Sequence, residues 1–370
     1  MNKKTAPVIR PGGGYLDIIV IIPLLLSLFG LIIVRSATRT LPGGGLRTVV
    51  IQAIGIALGC VIVFFISKLN FKTIKHFGAY IFLVIFALLV LVLLIGTGEE
   101  LGSRSWINIG FTGFQPAEIA KIAFIVICAI FLERIKKKQD IAKNYSKLFI
   151  YSGIIIILIL LQKDYGMVAV FIFILLVMLF IAGINIKLII ASLGIILLSA
   201  PAFWFFFLND ARKNRIRVFL NPELDPLDAG WNVLQSKLAI GSGRLLGQGL
   251  FDGYLNNRGL VPVKESDFIF AVIGEELGFI GTTVIILLFA IFLYRILRLA
   301  RTVPDTFHSM VCYGIFAMFA FHFIQNVSMT IGLLPVTGLP LPFISAGGTA
   351  LLSYFTAVGI LAAVSRDKGS

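Results

Sequence analysis

Apolar and polar positions along this chain come in long blocks rather than in short amphipathic periods. Windows of about 20 apolar residues, the length of helix that crosses a bilayer, fall near 16–36, 47–67, 77–96, 117–132, 148–163, 166–183, 186–207, 267–294, 308–330 and 343–364. The pattern predicts an all-α polytopic membrane protein of about ten transmembrane helices. Basic clusters sit between particular spans: Lys3, Lys4 and Arg10; Lys68, Lys72 and Lys75; Arg134, Lys136, Lys137, Lys138, Lys143 and Lys147; Lys187; Arg295, Arg298 and Arg301; Arg366 and Lys368. With N and C termini both cytoplasmic, every one of these falls on the cytoplasmic side, as the positive-inside rule requires. The opposite face then carries 37–46, 97–116, 208–266 and 331–342. The third of these is a large extracytoplasmic loop between spans seven and eight. All of 1–370 reads as one membrane domain containing that loop.

Two polar interruptions give boundaries. Pro116 suits the first turn of a helix, so the fourth span should open there. Glu118 and Lys121, three apart, share a helix face and can pair. The stretch Leu333–Gly348 is apolar yet rich in Pro and Gly, which excludes a regular span and fits a re-entrant or broken segment buried in protein.

Composition agrees with the pattern. Hydrophobic residues make up 58% and charged residues 14% of 370, too few charges to build a water-soluble surface. The net charge of +14 would suggest nucleic acid in a soluble protein. Here the basic residues mark cytoplasmic loops and anionic headgroups, so no nucleic-acid partner is expected. Cys60, Cys128 and Cys312 lie in apolar runs without metal or disulfide spacing. His308 and His322 are about 21 Å apart along a helix, too far to share an ion. The first apolar run is too long for a signal-peptide core and reads as a retained span.

The candidate chemistry gathers on the outer face. Asp267 opens the eighth span, with Ser266 as a plausible N-cap. Ala271, Gly274 and Gly278 follow at helical spacing and would leave a small-residue groove beneath the acid. A helix N-terminus favours the carboxylate, while burial raises its pKa toward a useful base; the sequence leaves that contest open. The bland reading is an acid that caps a helix. Glu275 and Glu276 need partners inside the membrane, such as Lys121 or Lys237. Arg212, Lys213, Arg215 and Arg217 cluster where topology gives them no reason to, as either a headgroup patch or an anion site. Ala239–Gly249 looks like a phosphate-cradling glycine loop, but no strand precedes it, and close backbone approach explains it as well. Asp164, in a very short outer turn, is either interfacial or a further acid facing the same cavity.

Read together, these stretches resemble the SEDS family (shape, elongation, division and sporulation), most like its rod-shape branch and less like its division branch. The resemblance is carried by Gly102–Trp106, Phe114–Lys121, Leu161–Gly166, Arg215–Pro222, Gln235–Gly249, Ser266–Gly278 and Ile331–Gly348, nearly the whole length. It implies a ten-span peptidoglycan glycosyltransferase of the bacterial cytoplasmic (inner) membrane. Its substrates would be lipid II and the growing glycan strand. Its partners would be a class B penicillin-binding protein, as transpeptidase, and other elongation-complex membrane proteins. The family's essential acid falls at Asp267, and its Glu and Lys at Glu118 and Lys121. Supporting positions are Arg104, Trp106, Asp164, Arg215, Gln235, Ser236, Lys237, Ser266 and Ser345. Departures are Pro262-Val263 where relatives often have Pro-Glu, Ser266 for Thr, Ala117 for Ser, Lys163 for Pro, Ala346 for Tyr, and Arg104 one place early.

The expected chemistry is inverting glycosyl transfer with release of undecaprenyl diphosphate. It needs a base at the attacking hydroxyl, Asp267, and cations for the diphosphate: Lys121, Arg215 and Lys237, with Arg104 a weaker candidate. No cofactor is called for by any motif. A divalent cation, Mg or Mn, held by Asp267 is compatible with the diphosphate chemistry. Two rivals belong to other classes: a lipid II flippase or transporter, and a non-catalytic scaffold for a transpeptidase.

Overall fold

The structure is a computed structural model that describes residues 14–69, 75, 77–98, 103–110, 112–184, 210–221 and 229–367, with isolated positions between 187 and 208 and at 224–225. In hydrocarbon each backbone N–H and C=O must find its partner within its own segment, so the apolar blocks fold as helices. They are α1 (Gly14–Thr38), α2 (Leu46–Ile66), α3 (Gly78–Ile95), α4 (Pro116–Lys136), α5 (Ile141–Leu161) and α6 (Tyr165–Ile181). After the outer segment come α10 (Ile269–Thr302), α11 (Thr306–Thr330) and α12 (Gly348–Asp367). Six of these, α1, α2, α5, α10, α11 and α12, are long and apolar enough to cross a membrane; α3 and α6 are shorter apolar helices. α4 has the length but carries Glu118, Lys121, Glu133, Arg134 and Lys136. The expected seventh span, 186–207, falls almost wholly outside the described residues, as does Gly102.

Boundaries follow local chemistry. α4 begins at Pro116 as expected, its first-turn N–H being one a helix leaves unpaired. α5 starts seven residues before the expected 148, extending through Lys143 and Lys147. The outer connections are more regular than their polarity suggested. Ile107–Ile109 (β1) and Thr112–Phe114 (β2) form an antiparallel ribbon, the one departure from an all-helical fold among the described residues. The large loop holds α7 (Asp210–Leu220), α8 (Ala229–Ser242) and the single turn α9 (Tyr254–Asn257).

α10 is broken. Gly278 adopts φ 63°, ψ −161°, which ends one helix and starts another. The loop after α8 supplies the missing bonds. Gln248 and Gly249 donate N–H groups to the carbonyls of Glu275 and Glu276, and the N–H groups of Phe279 and Ile280 reach the carbonyls of Arg244 and Leu245, at 2.8–3.1 Å. A Cβ on Gly243 or Gly247 would lie 1.9 or 2.1 Å from the α10 carbonyls. Residues 239–249 are therefore the last turn of α8 and a close-approach loop that caps a broken helix, not a phosphate cradle. Gly274 is likewise covered by Ile240, so the small residues below Asp267 receive α8 and leave no groove.

Residues 331–347 dip into the bundle. Leu339, Leu341, Phe343, Ile344 and Ser345 are buried, and Phe343 packs on Phe292, Phe319, Tyr354 and Phe355. Gly30 of α1 allows this: a side chain there would meet the Ile344 backbone at 2.6 Å. At the other end Glu133 binds Lys75 (2.5 Å) and Lys137 (2.7 Å), so the basic clusters around these two lysines and the polar motif that opens at Pro116 lie at opposite ends of α4.

Candidate functional site at the outer end of the bundle

Asp267 sits in a tight turn just before α10. The Val263 carbonyl accepts the N–H groups of Ser266, Asp267 and Phe268 (3.1–3.3 Å), and Val263 itself lies at φ 39°, a costly conformation for a β-branched residue. The expected N-cap role of Ser266 is not what forms: the cap position is Phe268, without a side-chain bond, and the Ser266 hydroxyl donates to Asp267 Oδ1 at 3.0 Å. Ser345 Oγ donates to the Ser266 carbonyl (2.6 Å) and accepts from Leu341 N–H (2.8 Å), which ties the turn to the re-entrant segment. On α11, Asn326 Nδ2 donates to both the Asp267 and Leu339 carbonyls at 2.9 Å. Gly338, at φ 69°, faces Asp267 Oδ2.

Burial pushes the Asp267 carboxyl up to about 6, aided by the charge of Glu265 and opposed by the Ser266 hydroxyl and by Arg215. Burial thus wins the contest the sequence left open. Arg215 itself is exposed on α7. Asp164 caps α6 by accepting Met167 N–H (3.1 Å) and also accepts from Gln115 Nε2 (2.8 Å); burial raises its carboxyl too. A Cβ on Gly166 would lie 2.8 Å from the Thr337 carbonyl. The Asp164 turn and Asp267 therefore flank the same Thr337-Gly338 strip.

Other expected residues divide into those at this site and those that support it. Lys121 is fully buried, paired with Glu118 at 2.7 Å and with His322 Nε2 at 2.8 Å. An ammonium only donates, so Nε2 accepts and the imidazole proton sits on Nδ1, 3.2 Å from Tyr354 O–H. In this geometry Lys121 cannot reach a diphosphate. Ser236 Oγ donates to the Thr330 carbonyl (2.8 Å), and Gln235 is buried beside it. Lys237 projects from the exposed side of α8 toward Gly332, where a Cβ would sit 2.5 Å from its Nζ. Arg104 Nε donates to the Gly96 carbonyl (2.9 Å), and Trp106 packs on Gly113 of the ribbon. Glu275 and Glu276 bind neither Lys121 nor Lys237. Glu275 accepts the N–H groups of Leu255 and Asn256, and Glu276 accepts from the Phe251 N–H, Asn256 Nδ2 and the Ser36 hydroxyl. Backbone amides, the Asn256 carboxamide and the Ser36 hydroxyl bond these acids directly, and the nearby cation is the buried Lys264, which acts on them through charge without a direct ion pair. A wholly apolar groove of about 370 Å³, lined by Leu25, Phe29, Leu277, Ile280 and Leu288, opens between α1 and α10; it offers no ionisable group.

Asn326 was not singled out from sequence, nor was Gln52, which donates to the Ser345 carbonyl at 3.2 Å. The available signal was a carboxamide inside an apolar span, the Gln325-Asn326 pair in one helix and Gln52 in another. Asn326→Leu should lower turnover several-fold more than it lowers stability, because it frees both the acid's backbone and Leu339. Comparing initial rates with thermal midpoints checks this, and an equal loss in both would make Asn326 merely structural.

Fold and site define a helical membrane protein with a partly buried carboxylate beside a broken helix, walled by a re-entrant loop. The family described as Cell cycle protein (FtsW, RodA and SpoVE) matches residues 16–369, and this chain belongs to it. It is 36% identical over 382 residues to stage V sporulation protein E of Bacillus subtilis, covering 99% of this chain and 98% of the relative. To the probable peptidoglycan glycosyltransferase FtsW of Trichlorobacter lovleyi it is 36% identical, covering 94% and 92%. To the peptidoglycan glycosyltransferase MrdB of Escherichia coli K12 it is 32% identical, covering 85% and 84%. Relatives named stage V sporulation protein E, FtsW and MrdB thus all match at 32–36% identity. Among solved structures, a chain of a peptidoglycan synthase complex that coordinates polymerization and crosslinking superposes with TM-score 0.77 at 25% identity, covering 95% and 97%. Thermus thermophilus RodA superposes at 0.70 and 23%, covering 95% and 96%, a likeness of fold.

Proposed function

We propose that this protein is a peptidoglycan glycosyltransferase that polymerises lipid II at the outer face of the cytoplasmic membrane during cell elongation, within a ten-span topology with both termini inside. The observation that carries the reading is Asp267: a carboxyl near pKa 6 at the end of the bundle opposite the basic clusters, in a chain whose relatives are named for this activity. The GlcNAc 4-hydroxyl attacks C1 of MurNAc on the growing chain. Its proton passes to Asp267, the new O4–C1 bond forms with inversion, and the bond from C1 to the diphosphate oxygen breaks. Arg215 and Lys237, both exposed, are the cations suited to the departing diphosphate. Asp267 offers one carboxylate, and no group of three metal-binding side chains occurs among the described residues. That donor set suits Mg, which takes one or two carboxylates plus substrate phosphates and would supply charge neutralisation.

A class B penicillin-binding protein is the proposed partner, supported by the synthase complex whose chain shares this fold. The elongation role rests on the motif resemblance; depletion that rounds cells, rather than filamenting them or blocking spore formation, is the expected phenotype. The deciding experiment is polymer formation from lipid II in detergent, with and without the transpeptidase. Glycan strands are expected. Their absence in both conditions would favour a flippase or scaffold, since detergent offers no sides to cross.

Two further outcomes follow. A base must be deprotonated to accept a proton, so the rate should rise with pH along a limb centred near 6. A flat profile from pH 5 to 8 would remove Asp267 as the titrating base. Arg215→Ala should weaken donor use by about tenfold or more, the scale of one charge-assisted contact, with little change in thermal midpoint because Arg215 is exposed.

A further inference from the structure

The exposed face of α8 is apolar apart from Lys237. Trp231, Leu234 and Leu238, at helical spacing, are 37, 48 and 49% exposed, while Val233, Ser236 and Ala239 face α10 and α11. Just past the helix, Leu245 and Leu246 are 67 and 78% exposed. A helix bathed in water turns such residues inward, and a cluster of them left outside marks a surface that something apolar covers. The position of the cluster names the cover. The Leu245 carbonyl is bonded to Ile280 N–H, and the neighbouring Arg244 carbonyl to Phe279 N–H. Phe279 and Ile280 are exposed in turn and open the second half of α10, whose outward residues Val284, Leu287 and Ile291 run down to Arg295. Counting outward from Arg295, about 17–20 helical residues cross the hydrocarbon, which sets its outer boundary between Glu275 and Gly278. The exposed leucines are therefore continuous with the lipid-facing side of a spanning helix and level with the edge of the acyl chains.

We propose that α8 and the segment through Leu246 lie in the outer interface of the bilayer, with Trp231, Leu234, Leu238, Leu245 and Leu246 against lipid acyl chains. This part of the extracytoplasmic loop is then half-inserted membrane structure. Trp231 has the amphipathic ring that favours headgroup depth, and Lys237, exposed on the adjoining face, lays its apolar stem toward Gly332. One consequence rests on the function proposed above: a lipid-linked diphosphate would meet the Asp267 turn, packed behind α8, without leaving the membrane. The placement itself does not depend on that function, and its test reads no activity.

The test uses the full-length protein in nanodiscs of phosphatidylcholine, with Trp106→Phe and Trp204→Phe so that Trp231 emits alone. Brominated acyl chains should remove most of its emission, and aqueous iodide should remove little. A parallel Leu246→Cys variant in a Cys60→Ser background, labelled with an environment-sensitive fluorophore, should show blue-shifted emission quenched by the same lipids. Strong quenching by iodide at both positions, with indifference to bromolipid, would overturn the proposal and mark the face as one covered by a protein partner instead.

Discussion

Asp267→Asn should abolish polymerisation and at the same time make the protein more stable. The amide cannot take the proton of an attacking hydroxyl, so the expected rate loss is about three orders of magnitude or more, the upper part of what general-base catalysis supplies together with charge placement. The stability gain comes from the same burial. In the folded state the carboxyl is raised from about 3.8 to about 6, so folded protein holds the proton more tightly than unfolded chain does. Below the unfolded pKa both states are protonated and nothing is lost; as pH rises through the folded pKa, wild type forfeits about 2–3 kcal/mol. The variant lacks that penalty. Thermal midpoints in detergent should therefore nearly coincide at about pH 4 and separate in favour of Asp267→Asn by pH 7. Retained glycan synthesis would remove the base assignment. Equal midpoints at both pH values would show that the acid is well solvated, and the raised pKa with it would be wrong.

The second large effect belongs to Lys121, and it is one of stability. Lys121 and Glu118 are both essentially out of reach of solvent, at 0 and 1% exposure, and Glu118 Oε1 has no hydrogen-bond partner. Lys121→Ala leaves that carboxylate buried and unpaired, which costs about 3–5 kcal/mol. Glu118→Gln with Lys121→Met, which removes both charges, should restore most of the loss. Unfolding midpoints and membrane yield of the two variants check this. A single variant as stable as wild type would mean that the pair is dispensable, and would reopen a direct role for Lys121 at the diphosphate. The proximity of His322 and Tyr354 makes polymerisation a second readout, since Tyr354 packs on Phe343 of the re-entrant segment and His322 bonds to the Pro340 backbone within it.

Much of this arrangement was legible in the residues. Pro116 announced the start of α4, and the i,i+3 spacing of Glu118 and Lys121 announced their pair, because helical geometry alone determines both. The Pro-Gly-rich apolar stretch announced a buried irregular segment, because neither lipid nor water suits it. What failed did so where partners come from distant chain. Ser266 looked like a cap but bonds to the acid beside it. Glu275 and Glu276 looked as though they needed cations, yet they hold the backbone amides of a loop about 20 residues upstream, a partnership that no spacing rule encodes. Lys121 looked available to substrate, and only its depth between α4, α11 and α12 shows otherwise.

By itself, the sequence determined the solvent of this protein, its helical class and which end of the bundle carries the polar motifs. Each of these depends on hydropathy, length and charge, quantities that add along the chain. Only the tertiary structure decided the state of Asp267, the break in α10 and the identity of the residues that clamp the acid. Those depend on how much water a side chain loses and which carbonyl or amide replaces it, and desolvation is set by neighbours in space rather than in sequence.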